Sequence, residues 1–221
     1  MNIKEGIEKR FSVRAFKDEA PSMDIIKKIL KTANSAPSGG NIQPWKVYVL
    51  NKESKNELTK KTLHNFDNGV QEEIEYNIYP EKLADEYKKR RYECGADMYS
   101  ALSIEKDDLD SRFKQIRENY KFFGAPLGMI ITIDRSFGNN GWGHVGMFLE
   151  NLWLSAIHYD LGCCLQESWS IYPKTVKEIT KHPDNEIVWC GVAIGYPDKD
   201  NPINKYRTKR EEIDSFAKFI E

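Results

Sequence analysis

The chain lacks the features that would tie it to a membrane, a metal or an oxidising compartment. No apolar run among its 221 residues approaches the roughly 20 that a spanning helix needs. The first residues, Met1-Asn2-Ile3-Lys4-Glu5, have no apolar core of the signal-peptide kind. Cysteine occurs four times, at 94, 163, 164 and 190, without a C-x-x-C pair. The adjacent Cys163 and Cys164 suit a buried strand better than a disulfide framework. His64, His144, His158 and His182 form no H-E-x-x-H or other ligand spacing, so no metal site is expected. G-x-S-x-G, the main sign of a hydrolase, is missing. Neither sign of charge prevails. With 33 Lys and Arg against 34 Asp and Glu, nothing draws the chain towards nucleic acid or an anionic membrane. Repeats, low-complexity tracts and Pro/Ser-rich linkers are absent too. The expectation is a protein of the reducing cytoplasm, built as one domain or as one subunit of an intertwined dimer.

What is present supports a real core under a highly charged surface, with 40% hydrophobic and 30% charged residues. Ser22 is placed to cap a helix whose Ile25, Ile26, Ile29, Leu30 and Ala33 form one apolar stripe, and Pro37 with the following glycines ends it. Residues 46–50 alternate like a strand, with Val47 and Val49 on one side. Residues 127–133 and 187–194 are short apolar runs of the kind found in central strands. Strands separated by helices predict helices packed on a sheet. Residues 145–157 differ in kind, because Val145, Met147, Phe148, Leu149, Leu152, Trp153, Leu154, Ala156 and Ile157 cover nearly the whole helical circumference. Such a helix is buried on all sides, as a central core helix or as a subunit interface. Residues 72–118 are rich in Lys, Arg, Glu and Asp, which usually means solvated helical faces.

Two motifs a helix apart carry the chemistry. In Arg10-Phe11-Ser12-Val13-Arg14 the polar residues alternate with apolar ones, so an extended segment would present two guanidiniums and a hydroxyl on one face. Arg offers a planar fork of donors suited to a phosphate or a carbonyl edge. In Ala36-Pro37-Ser38-Gly39-Gly40-Asn41-Ile42-Gln43-Pro44-Trp45, the glycines allow backbone to approach a ligand closely, and Asn41 and Gln43 supply amides. Together they read as the walls of a cofactor site.

These segments resemble the FMN-dependent nitroreductase family, whose N-terminus carries an R-x-S-x-R segment, a helix and an A-P-S-x-x-N-x-Q-P-W turn. The likeness continues in Phe122-Phe123-Gly124-Ala125-Pro126, in Gln166-Glu167-Ser168-Trp169, in Cys190-Gly191-Val192-Ala193-Ile194-Gly195-Tyr196 and in the tail around Arg207 and Arg210. The 166–169 segment and the tail are most similar to the branch that reduces nitrobenzoates and nitrobenzenes. Only residues 66–118 lack a match.

The resemblance implies an α+β fold: a three-layer α/β/α sandwich with a mixed, mostly antiparallel sheet, in an intertwined homodimer with FMN at the interface. It implies one domain over residues 1–221, with a charged helical lid at about 66–118 and a C-terminal arm at about 198–221. Tyr92, Tyr99 and Phe113 of such a lid could touch substrate. The long apolar helix then builds the dimer. Arg10 and Arg210 match the family's phosphate contacts, with Phe11 and Ser12 beside Arg10, and Arg207 and Lys209 compete with Arg210. Arg14 is expected near the pyrimidine end of the ring, where a cation raises the potential, with Asn119 at the same edge. Glu167 and Ser168 lie where a main-chain N–H faces flavin N5, with Gln166 beside them among the cofactor contacts. Pro37, Ser38, Gly39 and Asn41 are expected at the flavin of the opposite subunit, with Gln43 also among the cofactor contacts and Gly39 standing where many relatives have a second serine. The implied activity is ping-pong reduction of nitroaromatic or related electron-poor compounds by NADH or NADPH. No protein general acid or base is expected, since solvent can supply protons.

Other readings compete. Gly141-Trp142-Gly143-His144-Val145-Gly146 fits G-x-G-x-x-G, yet residues 134–140 separate it from the preceding strand and Trp142 would crowd a pyrophosphate, so close helix packing is the better explanation of its glycines. The same fold could instead serve reductive dehalogenation or activated-alkene reduction. A non-enzymatic flavin-binding or redox-sensing protein is the remaining alternative.

Overall fold

The computed structural model describes residues 2–220 and builds its core on a four-stranded sheet. The strands are β1 (Trp45–Leu50), β2 (Leu127–Asp134), β3 (Gly162–Gln166) and β4 (Glu186–Gly195). Their order is β1-β2-β4-β3, and every pairing within the chain is antiparallel. The apolar runs expected at 127–133 and 187–194 are therefore the two central strands, covered on both faces. A bulge at Ile131/Thr132 shifts the β2–β4 register by one residue.

Alternation along β2 divides the core into two layers. Met129, Ile131 and Ile133 pack with helices α2 (Met23–Ala33) and α6 (Asn139–His158). Ile130 faces the other way, into a cluster with Leu58 of α3 (Lys52–Asp67) and Val176 of α7 (Pro173–Thr180). The adjacent Cys163 and Cys164 fall into opposite layers, as strand neighbours must. The result is a helix–sheet–helix sandwich.

Helix α2 begins as its sequence predicts, with the Ser22 hydroxyl accepting from the Ile25 N–H. Ile26, Ile29 and Ala33 are its buried stripe. In α6, Val145, Phe148, Leu149, Leu152, Trp153 and Ala156 are buried, while Gly143, Gly146 and Met147 remain exposed. At Gly141 a Cβ would lie 2.6 Å from Phe137 Cβ, so this glycine does permit close packing. Gly143 and Gly146 meet nothing within 4 Å in the chain, so packing inside the subunit does not account for them.

The charged stretch forms α4 (Asp85–Ala101) and α5 (Leu109–Arg117), neither with a buried residue. Residues 72–76 belong instead to the body. Glu72 accepts the free N–H groups of Lys174 and Thr175 at the start of α7, Glu75 pairs with Arg135 at 2.7 Å, and the Tyr76 hydroxyl donates to the Trp189 carbonyl. Residues 72–76 of the charged stretch are thus tied to the sheet and to α7, while α4 and α5 keep exposed or half-buried side chains. The shortest helices are α1 (Ile3–Lys9) at the N-terminus and α8 (Ile213–Phe216) in the C-terminal arm.

Candidate functional site

Where α1 ends, Arg10 turns into extended backbone and the chain runs along β3, the Val13 N–H donating to the Cys163 carbonyl at 3.0 Å. Asn204 of the C-terminal arm binds the same run. Its Oδ1 accepts from the Arg14 N–H at 2.9 Å across 190 positions, and its amide donates to the carbonyls of Ala15 and Asp198. The two ends of the chain are thereby held around a cleft of about 450 Å³. Arg10, Phe11, Ser12 and Arg14 line it from one side, and Tyr206, Arg207, Thr208 and Arg210 from the other.

Four arginines and a single carboxylate, Glu8, surround this space. The Arg10 guanidinium lies 4.6 Å from the centre of the Trp153 ring, and its Nε is 3.3 Å from Glu150 Oε1. That Nε is buried without hydrogen-bond geometry to any protein acceptor. Arg207 stacks 3.6 Å above Phe11, bonds the Asn204 and Tyr206 carbonyls at 2.7 and 2.9 Å, and has its pKa lowered by burial. Arg210 bonds Thr208 Oγ1 at 2.6 Å. Lys209 leaves the contest for the cleft, since it pairs with Asp97 of α4 at 3.2 Å.

One expectation from alternation fails. Val13 is buried as predicted, but Phe11 does not turn away with it and lines the cleft beneath Arg207. The period of two presumes an isolated strand, whereas here the tail brings a guanidinium whose cation is attracted to the ring face. Phe11 thus joins the cleft through packing.

At the end of β3, a 3₁₀ turn over Glu167–Ile171 follows Gln166. The Gln166 amide is buried and spent inside the protein, donating to the Asn119 carbonyl at 2.6 Å and accepting from Trp169 Nε1 at 3.3 Å. It braces the turn and offers no side-chain group to a ligand. Asn119 Nδ2 is likewise engaged, with the Ile116 carbonyl at 3.0 Å. Ser168 Oγ is buried without a partner. Burial raises the Glu167 carboxyl pKa. Burial also pushes the Cys164 thiol up to about 11 and the Cys163 and Cys190 thiols higher still, so none is a ready nucleophile.

The second motif forms a separate structure. Gly40, Asn41 and Gln43 all have positive φ, at 58°, 56° and 52°. The Ser38 hydroxyl accepts from the Gln43 N–H at 2.9 Å, and the Gln43 amide donates to the Asn41 carbonyl at 3.0 Å. Pro37, Gly39 and Asn41 are exposed, and the turn shares no lining residue with the arginine cleft. Within one chain the two motifs are not brought together. His144, which sequence reasoning passed over, anchors the turn from α6: its Nε2 accepts from the Gly39 N–H at 3.2 Å. Its only signal was the G-x-G-x-x-G pattern, whose glycines pointed elsewhere. Asn204 had no signal at all, since its role depends on contacts across almost the whole chain.

Among the described residues no group of three His, Cys, Asp or Glu could hold a metal ion, and no helix is long and apolar enough to cross a membrane.

A model of the Nitroreductase family matches residues 7–196. The 4-nitrobenzoate reductase of Nocardioides sp. (strain LMS-CY) is 33% identical over 214 residues, covering 96% of this chain and 87% of its own. The nitrobenzene nitroreductase of Ectopseudomonas oleovorans is 30% identical over 99% and 96% of the two chains. Among solved structures, the FMN and NADPH-dependent nitroreductase NfnB from sphigopyxis sp. strain HMH superposes with a TM-score of 0.97 at 32% identity, covering 100% of both chains.

Proposed function

The chain belongs to the nitroreductase family, and from that premise we propose that it is an FMN-dependent reductase of nitroaromatic and related electron-poor compounds, using NADH or NADPH. The observation that carries this reading is the arginine cleft assembled from the two ends of the chain. Its donors fit the group. A phosphate needs fixed cations, and Arg10 keeps a buried Nε for which the protein supplies no hydrogen bond.

Arg10 and Ser12, with Arg210 and Arg207, would hold the phosphate, and the ring of Phe11 fixes Arg207. Arg14 would face the pyrimidine end, where a fixed cation raises the potential. The braced turn after β3 would present the main-chain N–H groups of Glu167 and Ser168 towards flavin N5. A main-chain donor there adds no titrating group. Asn119 and Gln166 act as braces for that turn. FMN, when bound, supplies the two-electron carrier between the nicotinamide and the nitro group.

The reading includes a homodimer of a reducing cytoplasm. Pro37, Ser38, Gly39, Asn41 and Gln43 would complete the partner's flavin site, since they stand apart from their own chain's cleft. The exposed stripe of α6 and the exposed Phe216, Phe219 and Ile220 of the arm support a second copy of the chain. The residues from about 79 to 117 would form the lid.

The test is a visible spectrum of the purified protein, followed anaerobically through addition of NADH and then 4-nitrobenzoate. A flavin band that bleaches and then recovers is expected. The absence of a flavin band even after added FMN would overturn the assignment of the arginine cleft.

A further inference from the structure

Beside the start of β4 lies a second cleft, of about 460 Å³, that shares no lining residue with the arginine cleft. Three carboxylates and three cations line it. Arg135 is taken by Glu75 at 2.7 Å and Lys177 by Asp184, which leaves Glu73, Glu186 and Lys174 without an ion pair among the described residues. Two lining residues are buried polar groups, Glu186 at 7% exposure and His182 at 3%. Tyr48 of β1 and Thr132 of β2 both donate to the same Glu186 oxygen, Oε2, and Oε1 receives no hydrogen bond among the described residues. The Thr180 hydroxyl gives its one proton to the Val176 carbonyl at 3.1 Å, so it accepts from His182 Nδ1–H at 2.7 Å. Burial, helped by Lys177 and Arg135, lowers the His182 pKa against the pull of Glu186 and Glu75, which keeps the ring neutral at pH 7. Its Nε2 is then a lone-pair acceptor. Neither Oε1 nor Nε2 is sealed in packed protein, and both residues open onto the cleft.

We propose that this cleft binds a small molecule carrying a primary ammonium group on a short carbon chain. The proposal does not depend on the reductase reading. The two free atoms on the buried wall are both acceptors, so they call for a ligand that donates. Among the described residues no three His, Cys, Asp or Glu are placed to hold a metal ion, whereas an ammonium brings its own N–H donors and can satisfy two acceptors at once. Charge points the same way, since the groups left unpaired are two carboxylates against one lysine. Pro173 and Ile74 supply apolar wall for the carbon chain. The carboxylate is fixed in place before any ligand arrives, because Tyr48 and Thr132 hold it from two different strands. The volume lies within the range of small-molecule sites.

The purified protein, with FMN present, is titrated calorimetrically near neutral pH with n-butylamine hydrochloride. A parallel titration uses tetramethylammonium chloride, which carries the charge without an N–H. Butylammonium is expected to bind at one site per subunit, and tetramethylammonium at least about tenfold more weakly. E186Q, which keeps the shape of the side chain, should weaken butylammonium about tenfold. K174Q alters an exposed side chain outside any ion pair, and loss of its repulsion should tighten binding about twofold. A gain of that kind cannot come from misfolding, so K174Q decides the matter if E186Q does not fold. No binding of butylammonium overturns the proposal, as do equal affinities for the two probes, an unchanged affinity in folded E186Q, or an affinity in K174Q no higher than in the wild type.

Discussion

Arg10 shows how a charge in this chain is kept ready for a ligand. Trp153 supports the guanidinium, and Glu150 balances it at 3.3 Å without making a hydrogen bond to the buried Nε. Arg10→Ala removes a charged hydrogen bond worth roughly 1.5–3 kcal/mol, so the FMN dissociation constant should rise about 10- to 100-fold. Arg10→Lys should fall between, since a point charge replaces the fork. Fluorescence titration of the apoprotein measures both, and an unchanged constant for Arg10→Ala would remove the phosphate from this cleft. Glu167 tests the pH behaviour. Glu167 is solvent-exposed as a residue, but partial desolvation of its carboxyl raises the pKa in the fold, so the folded state binds its proton slightly more tightly than the unfolded chain does, an effect that solvent screening keeps small. Stability is therefore lost as pH rises from the ordinary glutamate value of about 4.3 through the raised folded value. Glu167→Gln should melt with the wild type near pH 4 and only slightly above it near pH 8, since solvent reaches the carboxylate. Equal melting temperatures at both pH values would mean that the carboxylate carries no such penalty.

Elements differ in how plainly the sequence announces them. Helix α2 and strands β1, β2 and β4 could be read because burial on one or both faces imposes a period on Ile, Leu and Val. The pattern of α4 could not, since a helix with no buried residue has no apolar stripe. It carries exposed ion pairs such as Arg90–Glu86 at 3.5 Å and touches the arm through Arg90–Glu211 and Lys209–Asp97, contacts that leave no period in the sequence. The site was legible where it consists of charged motifs, and illegible where it consists of supports such as Asn204, His144 and the braced Gln166 amide. Close approach between elements was also hidden, and Gly191 of β4 shows why it matters. A Cβ there would lie 2.1 Å from Trp169 Cδ1, on a ring that is fully buried and stacked against Phe122. The turn carrying Glu167 and Ser168 packs through that ring. Gly191→Ala should cost about 1–3 kcal/mol by overpacking, read as a lower melting temperature. It should also weaken FMN binding, because the displaced Trp169 pulls on Gln166 Oε1. A melting temperature equal to that of the wild type would show that the turn gives way freely.

At the scale of the whole molecule, one chain looks like half of a site. Its arginine cleft holds four guanidiniums, while the turn over residues 37–43, with positive φ at Gly40, Asn41 and Gln43, rests on α6 and shares no lining residue with that cleft. Helix α6 connects the two observations. Its buried face packs the core, and His144 on it holds the turn through Gly39. Gly143, Met147, Glu150 and Leu154 follow at helical spacing along the other face, which the chain leaves exposed or half-buried. Small residues at Gly143 and Gly146 would let a second backbone come close. If that face joins two copies, a charge placed in its middle should act twice. Met147→Lys should shift the protein from dimer to monomer in size-exclusion chromatography with light scattering. FMN affinity should fall in the same variant, although Met147 touches neither cleft, because each flavin loses the turn supplied by its neighbour. A monomer that binds FMN as tightly as the wild type would separate the turn from the cofactor, and leave the arginine cleft as the whole of the site.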